Sequence, residues 1–147
     1  MRAVLQRVSS AKVTANKTHE ASIGHGLMVL LGITQSDTDE DLDWLLNKII
    51  KMRIFNDELA VMNNSVLDVA GELLVISQFT LYAQTKKGNR PSYIQAAGYE
   101  IAIPLYEQFI QKAAQLMGKP VQSGIFGTDM QIDLINDGPV TIIIDSK

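Results

Sequence analysis

The chain has no cysteine, and that one absence removes disulfide support, thiol nucleophiles and thiolate zinc sites together. Histidine is scarce too. His19 lies in a polar stretch and His25 precedes a glycine, with no His-x-x-x-His spacing and no nucleophile-elbow pattern. Neither a zinc hydrolase nor a serine–histidine hydrolase is well served by this inventory, and no metal or cofactor is expected. No apolar run approaches the ~20 residues of a membrane helix. Met1 to Val8 lack the longer apolar block and the small-residue cleavage site of a secretory leader. These absences predict a cytoplasmic protein that does not engage a membrane. Positive charge is also in short supply: 13 Lys and Arg stand against 16 Asp and Glu, for a net charge of −3, which argues against a broad basic surface wrapped around DNA or RNA.

What is present suits a single globular domain spanning residues 1–147, with 46% apolar and 20% charged residues. Met1 to Val8 alternate like a strand, and Gly26 to Ile33 form a short apolar run of the kind covered on both faces. Acids from Asp37 to Asp43 precede Leu42, Leu45, Leu46, Ile49 and Ile50 at helical spacing, which predicts a helix at about 38 to 52 and a solvated acidic start to it. Arg53 to Phe55 and Met62 to Ser65 read as a hairpin, and Glu72 to Thr80 as the strongest strand. A second helix runs to Met117 before Gly118 and Pro120. A start near residue 102 would put Pro104 in its first turn. Val121 to Phe126, Met130 to Ile135 and Val140 to Ile144 are further strand candidates, the last two separated by a turn at Asp137-Gly138. Strands at both ends around two helices, without βαβ alternation, imply an α+β fold of mainly antiparallel or mixed sheet.

Two polar clusters interrupt this apolar pattern. Ser77-Gln78-Phe79-Thr80 closes the Glu72 strand, and Asn136-Asp137-Gly138-Pro139-Val140-Thr141 sits near the C-terminus. Taken alone, the first is most often a pair of satisfied strand hydroxyls and the second a turn that leads proline into a final strand. The one concentrated basic segment, Lys86-Lys87-Gly88-Asn89-Arg90, reads first as a solvated loop and second as a phosphate contact.

Together these segments resemble the D-aminoacyl-tRNA deacylase family. The likeness runs through Leu5-Gln6-Arg7-Val8, Gly26 to Gly32, Arg53-Ile54-Phe55, Ser77-Gln78-Phe79-Thr80, Gly88-Asn89-Arg90-Pro91-Ser92, Phe126-Gly127, Met130 and Asn136 to Thr141. It implies a small α+β sandwich and an obligate homodimer with sheet pairing across the interface, in which Gly138-Pro139 of one subunit, joined by a cis bond, enters the Ser77–Thr80 site of the other. Asn136, Val140 and Thr141 would complete the chiral-selection segment, and Arg7 would orient the Gly-Pro carbonyls. The implied substrate is the acceptor end of D-aminoacyl-tRNA, with Gly-tRNA a secondary one. Thr80 would act as a nucleophile or as a positioning hydroxyl, the second being preferred. Where many relatives carry alanine after Phe-Gly, this chain has Thr128. A non-enzymatic RNA- or protein-binding module, or a hydrolase of another small ester, would be the competing readings.

Overall fold

A computed structural model describes residues 1–147. Its organising element is β1 (Arg2–Ala15), whose alternating apolar positions Ala3, Leu5, Val13 and Ala15 are fully buried. The first half of β1 pairs antiparallel with β3 (Gly26–Gly32), and the second half with β2 (His19–Ile23). Along its other side runs β8 (Met130–Asp145), antiparallel over nearly its whole length. Parallel pairs then join β3 to β6 (Glu72–Ser77) and β6 to β7 (Gln122–Ser123). The result is a mixed six-stranded sheet, curled until it nearly closes, with a separate hairpin of β4 (Phe55–Asn56) and β5 (Met62–Asn64).

Helices α1 (Asp39–Lys51) and α2 (Tyr99–Met117) cover one face of this sheet. Leu42, Leu45, Leu46 and Ile49 of α1 and Phe109 and Ala113 of α2 join Leu5, Val29, Leu31 and Val75 in the larger core. The opposite residues of the same strands, Val8, Val13, Met28, Leu74 and Ile76, form a smaller core inside the curl. Strands β3 and β6 are thus buried on both faces, the reason their sequences read as unbroken apolar runs.

Several expectations change. The acidic start of α1 is only half solvated: Asp39, Glu40 and Asp43 are exposed, but Asp37 and Asp41 are buried. Asp37 takes the N-terminal ammonium of Met1 at 2.6 Å, with both side chains fully buried, and Asp41 closes a capping box with Thr38. Helix α2 starts at Tyr99 rather than near 102, so Pro104 lies inside it. Tertiary contacts hold that early turn. Gly98 O accepts from the N–H groups of Ile101 and Ala102, Ala97 N–H donates to Ile33 O at 2.9 Å, and the Tyr99 ring meets Phe126 at 5.9 Å. Only Gln122–Ser123 of the Val121 to Phe126 segment is strand, and Met130 to Ile144 is one strand instead of two. The His19–Ile23 strand was not anticipated, because two of its five residues are buried and its polar members face solvent.

Asp41 yields a pH-dependent expectation. Burial opposes its charge, but Lys147 Nζ at 2.8 Å and the Thr38 N–H at 3.0 Å outweigh burial and hold the carboxyl well below the usual range. A depressed carboxyl contributes stability that is full above the unfolded value of ~3.9 and drains away as pH falls below it. Asp41→Asn is expected to lower unfolding free energy by about 1 kcal/mol at neutral pH. The gap from wild type should narrow in urea titrations carried below pH ~4; a gap unchanged with pH would contradict the assignment.

Candidate active site

Strand β6 leaves the sheet at Ser77, where Gln78 N–H still donates to Leu31 O at 2.8 Å. The chain then tightens into a 3₁₀ turn, Phe79–Tyr82, so Thr80 lies in the turn rather than at the end of a strand as expected. The turn's hydrogen bonds begin with Leu81 N–H to Gln78 O, which places the N–H groups of Phe79 and Thr80 ahead of the first internal bond. Gly32 permits this packing. A side chain there would meet Leu81 Cβ at 3.1 Å and Gln78 O at 3.2 Å. The Gln78 side-chain amide donates to Thr80 Oγ1, tying the two polar members of the motif together.

Beside this turn opens a cleft of about 830 Å³, within the range of small-ligand sites. Leu31, Ile76 and Ile132 contribute apolar floor, and Ser77, Gln78 and Phe79 form one wall. Tyr93 and Tyr99 also line it, with the Phe79 and Tyr93 rings edge to face at 5.1 Å. Gly127, Thr128 and Asp129 close the far end, where Thr128 Oγ1 donates to Ile125 O. Asp129 is the one formally charged residue of the lining, and neither histidine belongs to it. The fully polar-satisfied Tyr106 donates to Val75 O at 2.8 Å and pins β6 two residues before Ser77, while burial pushes its phenol up. Tyr93, Tyr99 and Asp129 were missed by sequence reasoning; the one signal for the two tyrosines is aromatic residues interleaved in a stretch free of acids from Leu73 to Tyr99, and Asp129 carries none.

The second cluster is built differently. Gln6 pairs with Thr141 and Val8 with Asn136, so two steps along β1 match five along β8, and residues 137–140 loop out. Gly138–Pro139 is cis and exposed. Asn136 braces the excursion from within: its Oδ1 accepts from Val140 N–H at 2.9 Å, and its Nδ2 donates to Val140 O and Thr141 Oγ1 at 3.3 Å. Arg7, buried on β1 opposite the excursion, braces it from behind. Its Nε donates to Asp137 O at 3.1 Å and pairs with the Asp137 carboxylate at 3.2 Å, while Nη1 donates to Ile54 O at 2.7 Å. The carbonyl held is that of Asp137, one residue before the Gly-Pro pair. Gly138 has a φ of +130°, and a side chain there would meet Arg7 Nη2 at 3.0 Å, so only glycine fits.

Within one chain the two clusters lie apart. Register matches Ser77 to Leu31 and Leu31 to Ala3, whereas the excursion stands beside Arg7. Four residues along the strands and three strands across correspond to about 13 Å and about 14 Å. No residue from 136 to 141 lines the cleft.

Fold and cleft define a class: an α+β protein with a largely apolar cleft bordered by the end of a buried strand and the turn that follows it. Comparison with known proteins narrows it. The model of the family described as D-Tyr-tRNA(Tyr) deacylase matches residues 4–145. D-aminoacyl-tRNA deacylases of Christiangramia forsetii and Flavobacterium johnsoniae are 60% and 59% identical over 147 residues, covering 100% of this chain and 98% of theirs. A solved structure described as c-Myc DNA Unwinding Element Binding Protein is 39% identical with a TM-score of 0.93, covering 100% of this chain and 99% of that one. The chain belongs to the D-Tyr-tRNA(Tyr) deacylase family and is an enzyme of the hydrolase class.

Arg7 supplies a test of the excursion's support. Arg7→Ala removes a charge-assisted bond from buried Ile54 O and is expected to cost about 2–4 kcal/mol in urea unfolding. Arg7→Lys keeps the charge but replaces the planar fork by a point contact. It should recover part of the stability while leaving the 137–140 segment more open to hydrogen exchange than in wild type. Identical exchange in that segment would show that Arg7 does not brace it.

Proposed function

We propose that the protein hydrolyses the ester between a D-amino acid and the 3′ end of tRNA, acting in the cytoplasm as a homodimer of single-domain chains. Water adds across the acyl–oxygen bond: its hydroxyl goes to the acyl carbon and its proton to the ribose oxygen, freeing amino acid and tRNA. The observation that carries this reading is the make-up of the cleft, an apolar slot walled by Ser77 to Phe79 with no histidine or cysteine to serve as base or nucleophile. The family membership supports the same substrate class.

In this reading the N–H groups of Phe79 and Thr80 stabilise the negative charge that develops on the ester carbonyl. Thr80 positions the ester rather than attacking it, which agrees with its hydroxyl already accepting from Gln78. The vicinal 2′-OH of the terminal ribose assists the attacking water. Chirality is read from the α-amino group and ester by rigid main-chain groups, since these are common to all amino acids while side chains vary. Gly138 and Pro139 of the partner supply those groups. Glycine has no side chain for such a wall to exclude, so glycyl-tRNA is a second substrate.

Three features support the cross-subunit arrangement. The excursion is exposed yet braced at both ends, it lies too far from the cleft of its own chain to act there, and β8 pairs with β1 alone. Ile135 and Ile143 on that strand are 63% and 66% exposed, an apolar face that an isolated subunit leaves in water. An obligate interface of this type would bury on the order of 2,000 Å² or more.

Two experiments test the reading. Sedimentation of the active enzyme should give a dimer, and activity per chain should fall on dilution as subunits part; a fully active monomer would rule out the shared site. Separately, D-aminoacyl-tRNA ending in 2′-deoxyadenosine should bind but turn over at least 100-fold more slowly, a loss of the size usual for a proton-transfer catalyst. Thr80→Ala should retain measurable turnover. Normal hydrolysis of the deoxy substrate, with a dead Thr80→Ala and a trapped acyl-enzyme, would make Thr80 the nucleophile.

A further inference from the structure

Seven of the 13 Lys and Arg side chains are engaged by carboxylates or backbone carbonyls. Of the six without such a partner, three fall within five residues: Lys86, Lys87 and Arg90. All three are exposed. Their loop is defined by an isolated antiparallel bridge, with Gln84 N–H donating to Ser92 O at 2.8 Å and Ser92 N–H to Gln84 O at 3.1 Å. At its tip Gly88 sits at a φ of +63° with open space around it, so the loop projects away from the body.

The base of this loop is the mouth of the cleft. It departs from the 3₁₀ turn that follows Gln78 and returns at Tyr93, whose ring packs on Phe79 across the entrance. No acidic residue occurs from Leu73 to Tyr99, and Asp145, which bears on the Tyr82 end of the turn, is already paired with Arg2 at 2.6 Å. Without these three cations the chain's formal charge would be −6 instead of −3, so they concentrate positive potential beside one opening of an otherwise acidic protein. Seven residues between Gln84 and Ser92 give the loop a reach on the order of 10 Å.

We propose that Lys86, Lys87 and Arg90 form the contact for the RNA phosphates immediately 5′ of the terminal nucleoside held in the cleft. This inference rests on the cleft receiving a tRNA 3′ end, as proposed above, and adds the surface that engages the RNA backbone. Such contacts are independent of sequence and of the amino acid carried, which suits an enzyme that must accept many tRNAs. They position the acceptor strand; the chemistry stays with the cleft.

The test compares wild type with the triple variant Lys86→Gln, Lys87→Gln, Arg90→Gln, after thermal unfolding has shown equal midpoints. Two substrates are used, D-tyrosyl-tRNA and the minimal ester D-tyrosyl-adenosine, which has no phosphates. For tRNA the variant should lose about 10-fold or more in kcat/KM at 50 mM salt, mainly through KM, and for the minimal ester the two proteins should agree within about two-fold. Binding of an uncharged acceptor-stem hairpin is measured in parallel from 50 to 200 mM salt. The slope of log affinity against log salt should become shallower by about 2, since each single-stranded phosphate contact contributes about 0.7.

Unchanged slopes and unchanged tRNA kinetics would overturn the inference. So would an equal loss on the minimal ester, which would mean that the loop shapes the cleft instead of touching phosphate, or a wild-type protein that does not bind the hairpin. If neither protein cleaves either ester, the deacylase reading fails, and the hairpin slopes still decide the phosphate contact.

Discussion

The buried guanidinium of Arg7 is the contact on which the rest of the architecture depends. It sits where β1 breaks register, and from there it reaches the β4 hairpin through Ile54 O and the excursion of β8 through Asp137. A charge this deeply buried persists because it is paired and hydrogen-bonded, Nε tying down Asp137 and Nη1 tying down Ile54. One half of β1 serves the helical core and the other the inner core, so a single long strand supports both.

In the function proposed above, that scaffold makes main-chain groups into functional groups. Backbone amides and carbonyls are positioned as accurately as the elements that carry them. Here β6, buried on both faces and pinned by Tyr106, delivers Ser77, Gln78 and Phe79 to the cleft, while Thr80 lies in the turn beyond and outside the lining. The Gly138–Pro139 segment is carried in the same way, between the Asn136 amide and Arg7. A site of this design has little use for titratable side chains, and the cleft lining reflects it with Asp129 as its lone formal charge.

Charge is distributed with a corresponding division of labour. The carboxylates of Asp37 and Asp41 are committed to the chain termini and the start of α1. Salt bridges with Lys12 and Lys112 lie on the surface, where their net stabilisation is small. The stretch from Leu73 to Tyr99 is left without acids, and it contains the 3₁₀ turn, one wall of the cleft and the basic loop.

The sequence by itself determined the α+β class, the apolar strands β3 and β6, the spacing of α1 and, through two motifs in order, the family. These are local properties: a run buried on both faces or a face repeating every 3.6 residues is written into consecutive positions. Tertiary structure alone decided the rest. Tyr99 began α2 early because Phe126 and Ile33 were there to hold it, and Asp37 turned inward because the Met1 ammonium met it. Asp137 and Gly138 read as a turn between two strands, yet both arms pair with β1 and the turn became an outward loop within one strand. In each case the deciding partner lies far along the chain, where no local pattern records it.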